Sequence, residues 1–180
     1  MKNNLYVITG GPGAGKTTLI DELNRLNFIT IPEEARKIIK EQISIQGDGL
    51  PWKDKALYAK LMFDESIKTY HNILDKNPQG KIFFDRGVID TFCYLRMENI
   101  PISKEMTALI NKVSYNRKVF ILPPWKEIFK NDGERKQNWE EAVLTFESIK
   151  ETYAYYVYNL IEIPIGTIES RVNFVLNNVR

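Results

Sequence analysis

The chain has 180 residues, 43% of them hydrophobic and 27% charged, with 25 Lys and Arg against 23 Asp and Glu for a net charge of +2. That length suits a single domain, expected to span 1–180 and to bury roughly 70% of its unfolded surface, and the even charge balance gives no reason to expect nucleic acid or an anionic membrane as partner. The one cysteine, Cys93, excludes an internal disulfide framework. No apolar run reaches membrane-spanning length and no cleavage-site pattern follows the N-terminus, so a soluble protein of the reducing cytoplasm is expected.

Leu5-Tyr6-Val7-Ile8 is a short apolar run bounded by glycines and predicts a buried strand ending at Thr9. From Lys16 the pattern turns helical, with Leu19, Leu23 and Leu26 recurring at spacings of four and three. Phe28 to Ile31 predicts a second strand, stopped by Pro32, followed by a helix from Glu34 to Ile45 and a glycine-bearing loop over 46–52. Ala59, Phe63, Ile67, Tyr70 and Leu74 mark a long amphipathic helix over 53–75. Lys81 to Asp85 is the third predicted strand, ending in an acid, and helices are expected over 87–98 and 103–114, the second capped by Ser103. Val119 to Leu122 is the fourth strand, closed by Pro123-Pro124. A polar stretch then leads into a helix carrying Trp139, Val143, Phe146, Ile149, Tyr153 and Tyr156 on one face. Leu160 to Ile163 is the fifth strand, and Ile168, Val172, Val175 and Val179 mark the last helix. Short apolar strands alternating with amphipathic helices predict an α/β fold with a parallel sheet covered on both faces.

Gly10-Gly11-Pro12-Gly13-Ala14-Gly15-Lys16-Thr17 satisfies the pattern G-x-x-x-x-G-K-[ST] between a predicted strand and a predicted helix. In such a loop successive backbone N–H groups turn into one cavity and bind phosphate oxygens, and the helix N-terminus adds its positive end. Lys16 can reach the β- and γ-phosphates, the Thr17 hydroxyl can ligate Mg²⁺, and Thr18 can add a hydroxyl to the α-phosphate.

Asp85 and Arg86 follow a strand at the edge where open parallel sheets bind ligands. The aspartate could hold Mg²⁺ and the arginine a phosphate; alternatively they are a helix cap and a surface cation. Glu33 could act as a base toward an attacking hydroxyl or water, or supply charge to a helix first turn, the role better suited to Glu34. Lys126, Lys130, Arg135 and Lys136 lie in a polar insert over 126–138. Such an insert can close over a nucleotide and bring an arginine, here Arg135, to the transferring phosphate; otherwise it is a solvated charged loop. His71 reads as a surface or interface residue and Cys93 as helix packing, while Trp52 and Trp125 could line an acceptor pocket or simply pack.

Taken in order, Ile8 to Thr18, Ile31-Pro32-Glu33-Glu34-Ala35-Arg36, Phe84-Asp85-Arg86-Gly87, Leu122-Pro123-Pro124-Trp125, Asp132-Gly133-Glu134-Arg135 and Ile163-Pro164 before Arg171 span nearly the whole chain. The set resembles the small predicted-ATPase family grouped as the AAA domain of nicotinamide riboside kinase-like proteins, similar in organisation to nucleoside and nucleotide kinases. Asp85-Arg86 resembles the Asp-Arg motif of thymidylate and deoxynucleoside kinases, and Pro32-Glu33 resembles the strand-two glutamate that serves the latter as base. The resemblance implies a three-layer P-loop fold with a five-stranded parallel sheet ordered 2-3-1-4-5. It also implies a lid over 126–138, Mg²⁺-nucleotide binding, and a base-binding loop at Pro164–Thr167 with Arg171 close by. The single lid arginine, where nucleotide kinases often show several, argues against a monophosphate acceptor.

The leading expectation is an ATP-dependent kinase for a small, nucleoside-like molecule. NTP hydrolysis and a nucleotide-gated binding protein without an acceptor are the alternatives. No Asn/Thr-Lys-x-Asp guanine signature stands out, which favours ATP while leaving GTP open. The long aromatic-rich helices could support a homodimer.

Overall fold

The computed structural model describes residues 4–129 and 138–179. The chain falls into two compact units, one formed by Met1–Ile31, Lys81–Asp85 and Tyr115–Arg180, the other by Pro32–Gly80 and Arg86–Ser114.

The first unit holds the sheet. Its strands are β1 (Leu5–Gly10), β2 (Ile29–Ile31), β3 (Ile82–Asp85), β4 (Lys118–Leu122) and β5 (Asn159–Glu162). All pairings are parallel and the order is β2-β3-β1-β4-β5. β1 is central, with Ile8 opposite both Asp85 and Phe120, and all six of its residues are buried. That explains its unbroken apolar character: a central parallel strand has no solvent face on which to alternate. β2, at the edge, has no fully buried residue.

Three helices belong to this unit: α1 (Lys16–Arg25), α6 (Trp139–Tyr155) and α7 (Ile168–Asn178). α1 and α7 pack on each other, and with Tyr6, Ile8, Phe83, Phe120 and Leu122 their side chains form one core. α6 adds nothing to that core and packs against β1 and β5, so helices cover both faces. α1 buries Leu19, Ile20 and Leu23. Leu26, expected on that stripe, is 40% exposed, because the helix stops there and Asn27 turns the chain with a left-handed φ of 64°.

The second unit is helical: α2 (Glu34–Ser44), α3 (Lys55–Lys76), α4 (Val88–Met97) and α5 (Lys104–Ile110). α3 packs on both α2 and α4. Its core gathers Ile38, Ile39, Tyr58, Ala59, Met62 and Leu95. Asp54 caps α3 by accepting from the Leu57 N–H at 2.9 Å, and Ser103 caps α5 as expected. α5 is shorter than the 103–114 expectation because turn-type bonds from Lys112 and Val113 N–H, to Leu109 and Ile110 carbonyls, close it early. Trp52 is 59% exposed and His71 is exposed, whereas Cys93 is buried.

Among the described residues no helix is long and apolar enough to cross a membrane.

Candidate functional site: a phosphate loop and a carboxylate–arginine cluster

In the first unit the loop between β1 and α1 takes the shape its glycines permit. Gly13 and Gly15 have φ of 70° and 77°, a left-handed region that residues with a Cβ avoid. Space is also closed to a side chain: a Cβ on Gly13 would stand 2.6 Å from the Phe129 ring, and one on Gly15 2.8 Å from Arg171 Nη1. Gly15 is the N-cap of α1. It brings no side-chain cap, and the first turn carries no acid. The uncapped N–H groups and the positive end of the helix dipole therefore remain for an anion.

Lys16 is buried, and its Nζ donates to Asp85 Oδ1. The pair joins the first residue of α1 to the last residue of β3, with side chains only 7% and 10% exposed. Two such groups out of water stabilise each other only while both are present. Thr17 and Thr18, by contrast, are exposed. The Thr17 hydroxyl and the Asp85 carboxylate are oxygen donors of the kind Mg²⁺ takes together with substrate phosphates. Among the described residues no cluster of three or more His, Cys, Asp or Glu could form a metal cage of its own.

Arg171, on the first turn of α7, lies against the same loop and not on the segment before it. Its Nη2 donates to the Ala14 carbonyl at 3.0 Å, and its guanidinium stands over the Trp125 ring, 5.7 Å from the centroid. It is 5% exposed, and burial lowers its pKa from the ordinary arginine value. Trp125, for which pocket lining and packing were both open, is thus stacked against Arg171. Pro164 is exposed in the turn between β5 and α7, where Thr167 caps α7 by accepting from the Ser170 N–H at 3.2 Å.

In the second unit Glu33, Arg86 and Asp90 form a cluster. Arg86 Nε donates to Glu33 Oε1 at 2.9 Å and Nη1 to Asp90 Oδ1 at 3.0 Å. The side chains are 6%, 16% and 7% exposed for Glu33, Arg86 and Asp90. Glu33 sits at the N-cap of α2 but makes no cap bond; its carboxylate faces arginines instead, with Arg36 Nε 3.8 Å from Oε2. Glu34 supplies the first-turn charge of α2, and its Oε1 accepts from Thr69 Oγ1 at 2.5 Å. Arg86 itself has a left-handed φ of 69°, uncommon for a residue with a long side chain. Such strain persists where the surroundings fix the residue, here two buried carboxylates. The second oxygen of Asp90 accepts from the Gly87 N–H at 2.8 Å, tying the start of α4 to the cluster.

The sequence reading did not single out Asp90, which shares Arg86 with Glu33; Arg86 precedes α4 with a left-handed φ, so no helical spacing linked the two in advance. Ile128 and Phe129, packed on the phosphate loop, left no sequence signal either. Arg135, with Lys130 and Lys136, lies outside the described residues.

Fold and loop together define a P-loop protein with a kinase-like fold. A family model described as an AAA domain matches residues 5–171, and the chain belongs to that family. A relative from Thermosipho melanesiensis, called a nucleotide-binding protein, is 32% identical over 127 residues, which is 67% of this chain and 45% of the relative. The chain thus spans less than half of that relative's length. Among solved structures, the NadR protein in complex with NR is similar with a TM-score of 0.74 at 20% identity, over 97% of this chain and 50% of that one. Deoxyadenosine kinase from M. mycoides with bound dATP is similar with a TM-score of 0.65 at 16% identity, over 97% and 98%.

Proposed function

We propose that the chain is a Mg²⁺·ATP-dependent phosphotransferase whose acceptor is an uncharged, nucleoside-like hydroxyl. The observation that carries the reading is the cluster in the second unit: a buried Glu33 carboxylate held by Arg86, which is itself also held by Asp90. An arginine that serves an acceptor phosphate needs its donor fork available for that anion. Here two of its five N–H groups are engaged by buried carboxylates, whose negative charges offset the guanidinium and make it a poorer partner for a dianionic acceptor. A neutral hydroxyl makes no such demand. It needs a carboxylate base within hydrogen-bond reach, and Glu33 is the group assigned that role.

On the donor side, Lys16 and the loop N–H groups would hold the triphosphate, with Lys16 exchanging Asp85 for the phosphates. Thr17 and Asp85 fit as the residues that hold Mg²⁺, which when bound neutralises charge on the β- and γ-phosphates. Arg135 of the 126–138 insert is assigned to the developing charge of the transferring group, while Arg86 orients Glu33. ATP is preferred to GTP because no guanine signature is present. The kinases among the structural relatives support phosphotransfer as the reaction class.

The test is to incubate the protein with γ-labelled ATP, Mg²⁺ and a panel of nucleosides, NR and vitamins. Label on one of these compounds is the expected result. Label recovered only as inorganic phosphate would replace the proposal with hydrolysis. Tight binding with no turnover on any compound would replace it with a nucleotide-gated binding protein.

A further inference from the structure

Arg171 is buried at a cost, and among the described residues its guanidinium meets no carboxylate. It is held by the hydrogen bond from Nη2 to the Ala14 carbonyl and by the Trp125 ring. The Ala14 carbonyl and the Gly15 N–H belong to one peptide group. That peptide bond is trans, so the two point in opposite directions and a cation fixed on the carbonyl side turns the N–H away from itself. Among the described residues no acceptor takes that N–H. Gly15 is also the residue whose torsions, without a Cβ, would most readily allow this peptide to turn over.

The geometry points to Arg171 as a positioning residue of the phosphate loop: its charge-assisted hydrogen bond to the Ala14 carbonyl pins the Ala14–Gly15 peptide and polarises the Gly15 N–H toward a bound phosphate. A hydrogen bond to an ionised donor is roughly twice as strong as a neutral one. Electron density drawn toward the carbonyl oxygen leaves the amide proton of the same group more positive, so successive bonds strengthen each other. The Trp125 ring lies 5.7 Å from the guanidinium carbon, a contact that suits a planar delocalised cation better than a lysine ammonium. Arg171 thereby acts on phosphate through the backbone and does not read the base.

The inference rests on the nucleotide-binding reading of the loop but not on phosphoryl transfer, so it is tested by binding alone. Affinities for inorganic tripolyphosphate and for ATP, GTP, CTP and UTP are measured on the full chain and on Arg171→Met, together with the Gly15 amide proton shift in the ligand-free protein. The variant is expected to lose about tenfold in affinity for tripolyphosphate and for every nucleotide alike, with the order among bases unchanged and the Gly15 proton moved upfield. Unchanged tripolyphosphate affinity with an unchanged Gly15 shift would overturn the inference, as would a loss confined to discrimination among bases. If Arg171→Met does not fold, Arg171→Lys carries the same two readouts. Intermediate values are expected of it, and wild-type values in both would overturn the inference.

Discussion

Lys16 and Asp85 balance each other in a place where neither charge could stay alone. Asp85→Asn removes the buried carboxylate to which Lys16 donates, and breaking a buried pair of this kind costs about 3 kcal/mol. Phosphate can take the place of the lost carboxylate. Tripolyphosphate without Mg²⁺ should therefore raise the melting temperature of Asp85→Asn more than that of the wild type, by the linkage of binding to folding. An equal or smaller shift in the variant, read by scanning fluorimetry or calorimetry, would show that the pair does not hold the phosphate lysine. Tyr94 makes the opposite case. Its hydroxyl is buried with no hydrogen-bond partner among the described residues, and burial, with Glu98 and Tyr58 adding to it, raises its pKa above the ordinary 10.0. The folded pKa thus lies above the unfolded one. Its contribution is full below pH 10 and is lost as pH climbs through the folded value. Tyr94→Phe removes an unsatisfied donor and should gain about 1 kcal/mol, with a shallower loss of stability above pH 10 in urea titrations. A variant less stable than wild type at neutral pH would mean that the hydroxyl has a partner.

At the scale of elements, caps and glycines decide where helices begin. α6 starts at a reciprocal pair: Asn138 Oδ1 accepts from the Glu141 N–H and Glu141 Oε2 from the Asn138 N–H, each at 2.8 Å. Asn138→Ala should cost about 1 kcal/mol, read as a lower denaturant midpoint at unchanged slope. Because a Cβ on Gly11 would stand 2.9 Å from the Ala142 carbonyl oxygen, fraying of this helix should also weaken nucleotide binding. Strands and helices were legible in the sequence because short apolar runs and helical stripes reflect burial directly. The ends were less so: β5 begins at Asn159, one residue earlier than expected, since Asn159 pairs with Lys118 in the ladder. That is a tertiary constraint no local pattern carries. The buried face of α6 includes Ala142 and Thr152, small or polar residues that a search for large apolar side chains passes over. For the candidate site, the loop motif and Asp85-Arg86 were legible because each is a short run of adjacent residues beside a strand end. The bond from Arg171 to Ala14 joins positions 157 apart, and only the folded chain brings them together.

At the scale of the molecule, the chain passes back and forth between its two units, and the residues assigned to chemistry sit where it does so. Ile31 and Asp85 end neighbouring parallel strands of the first unit, and Pro32 and Arg86 are the next residues along the chain, each opening a segment of the second. Glu33 and Arg86 thus follow directly from strands β2 and β3 and meet within the helical unit. The glycine-rich loop belongs to the sheet unit and the carboxylate–arginine cluster to the helical one; under the proposed function the donor nucleotide is assigned to the first and the acceptor hydroxyl to the second. The most direct measurement of that account is a paired single-turnover reaction with γ-labelled ATP, offering each nucleoside together with its 5′-monophosphate, for the wild type and for Glu33→Gln. The account predicts label on the uncharged nucleoside, and a fall of about 10²-fold or more in that transfer for Glu33→Gln, the scale of a lost general base. Label passing to the monophosphate, or transfer to the nucleoside at an undiminished rate in Glu33→Gln, would contradict it.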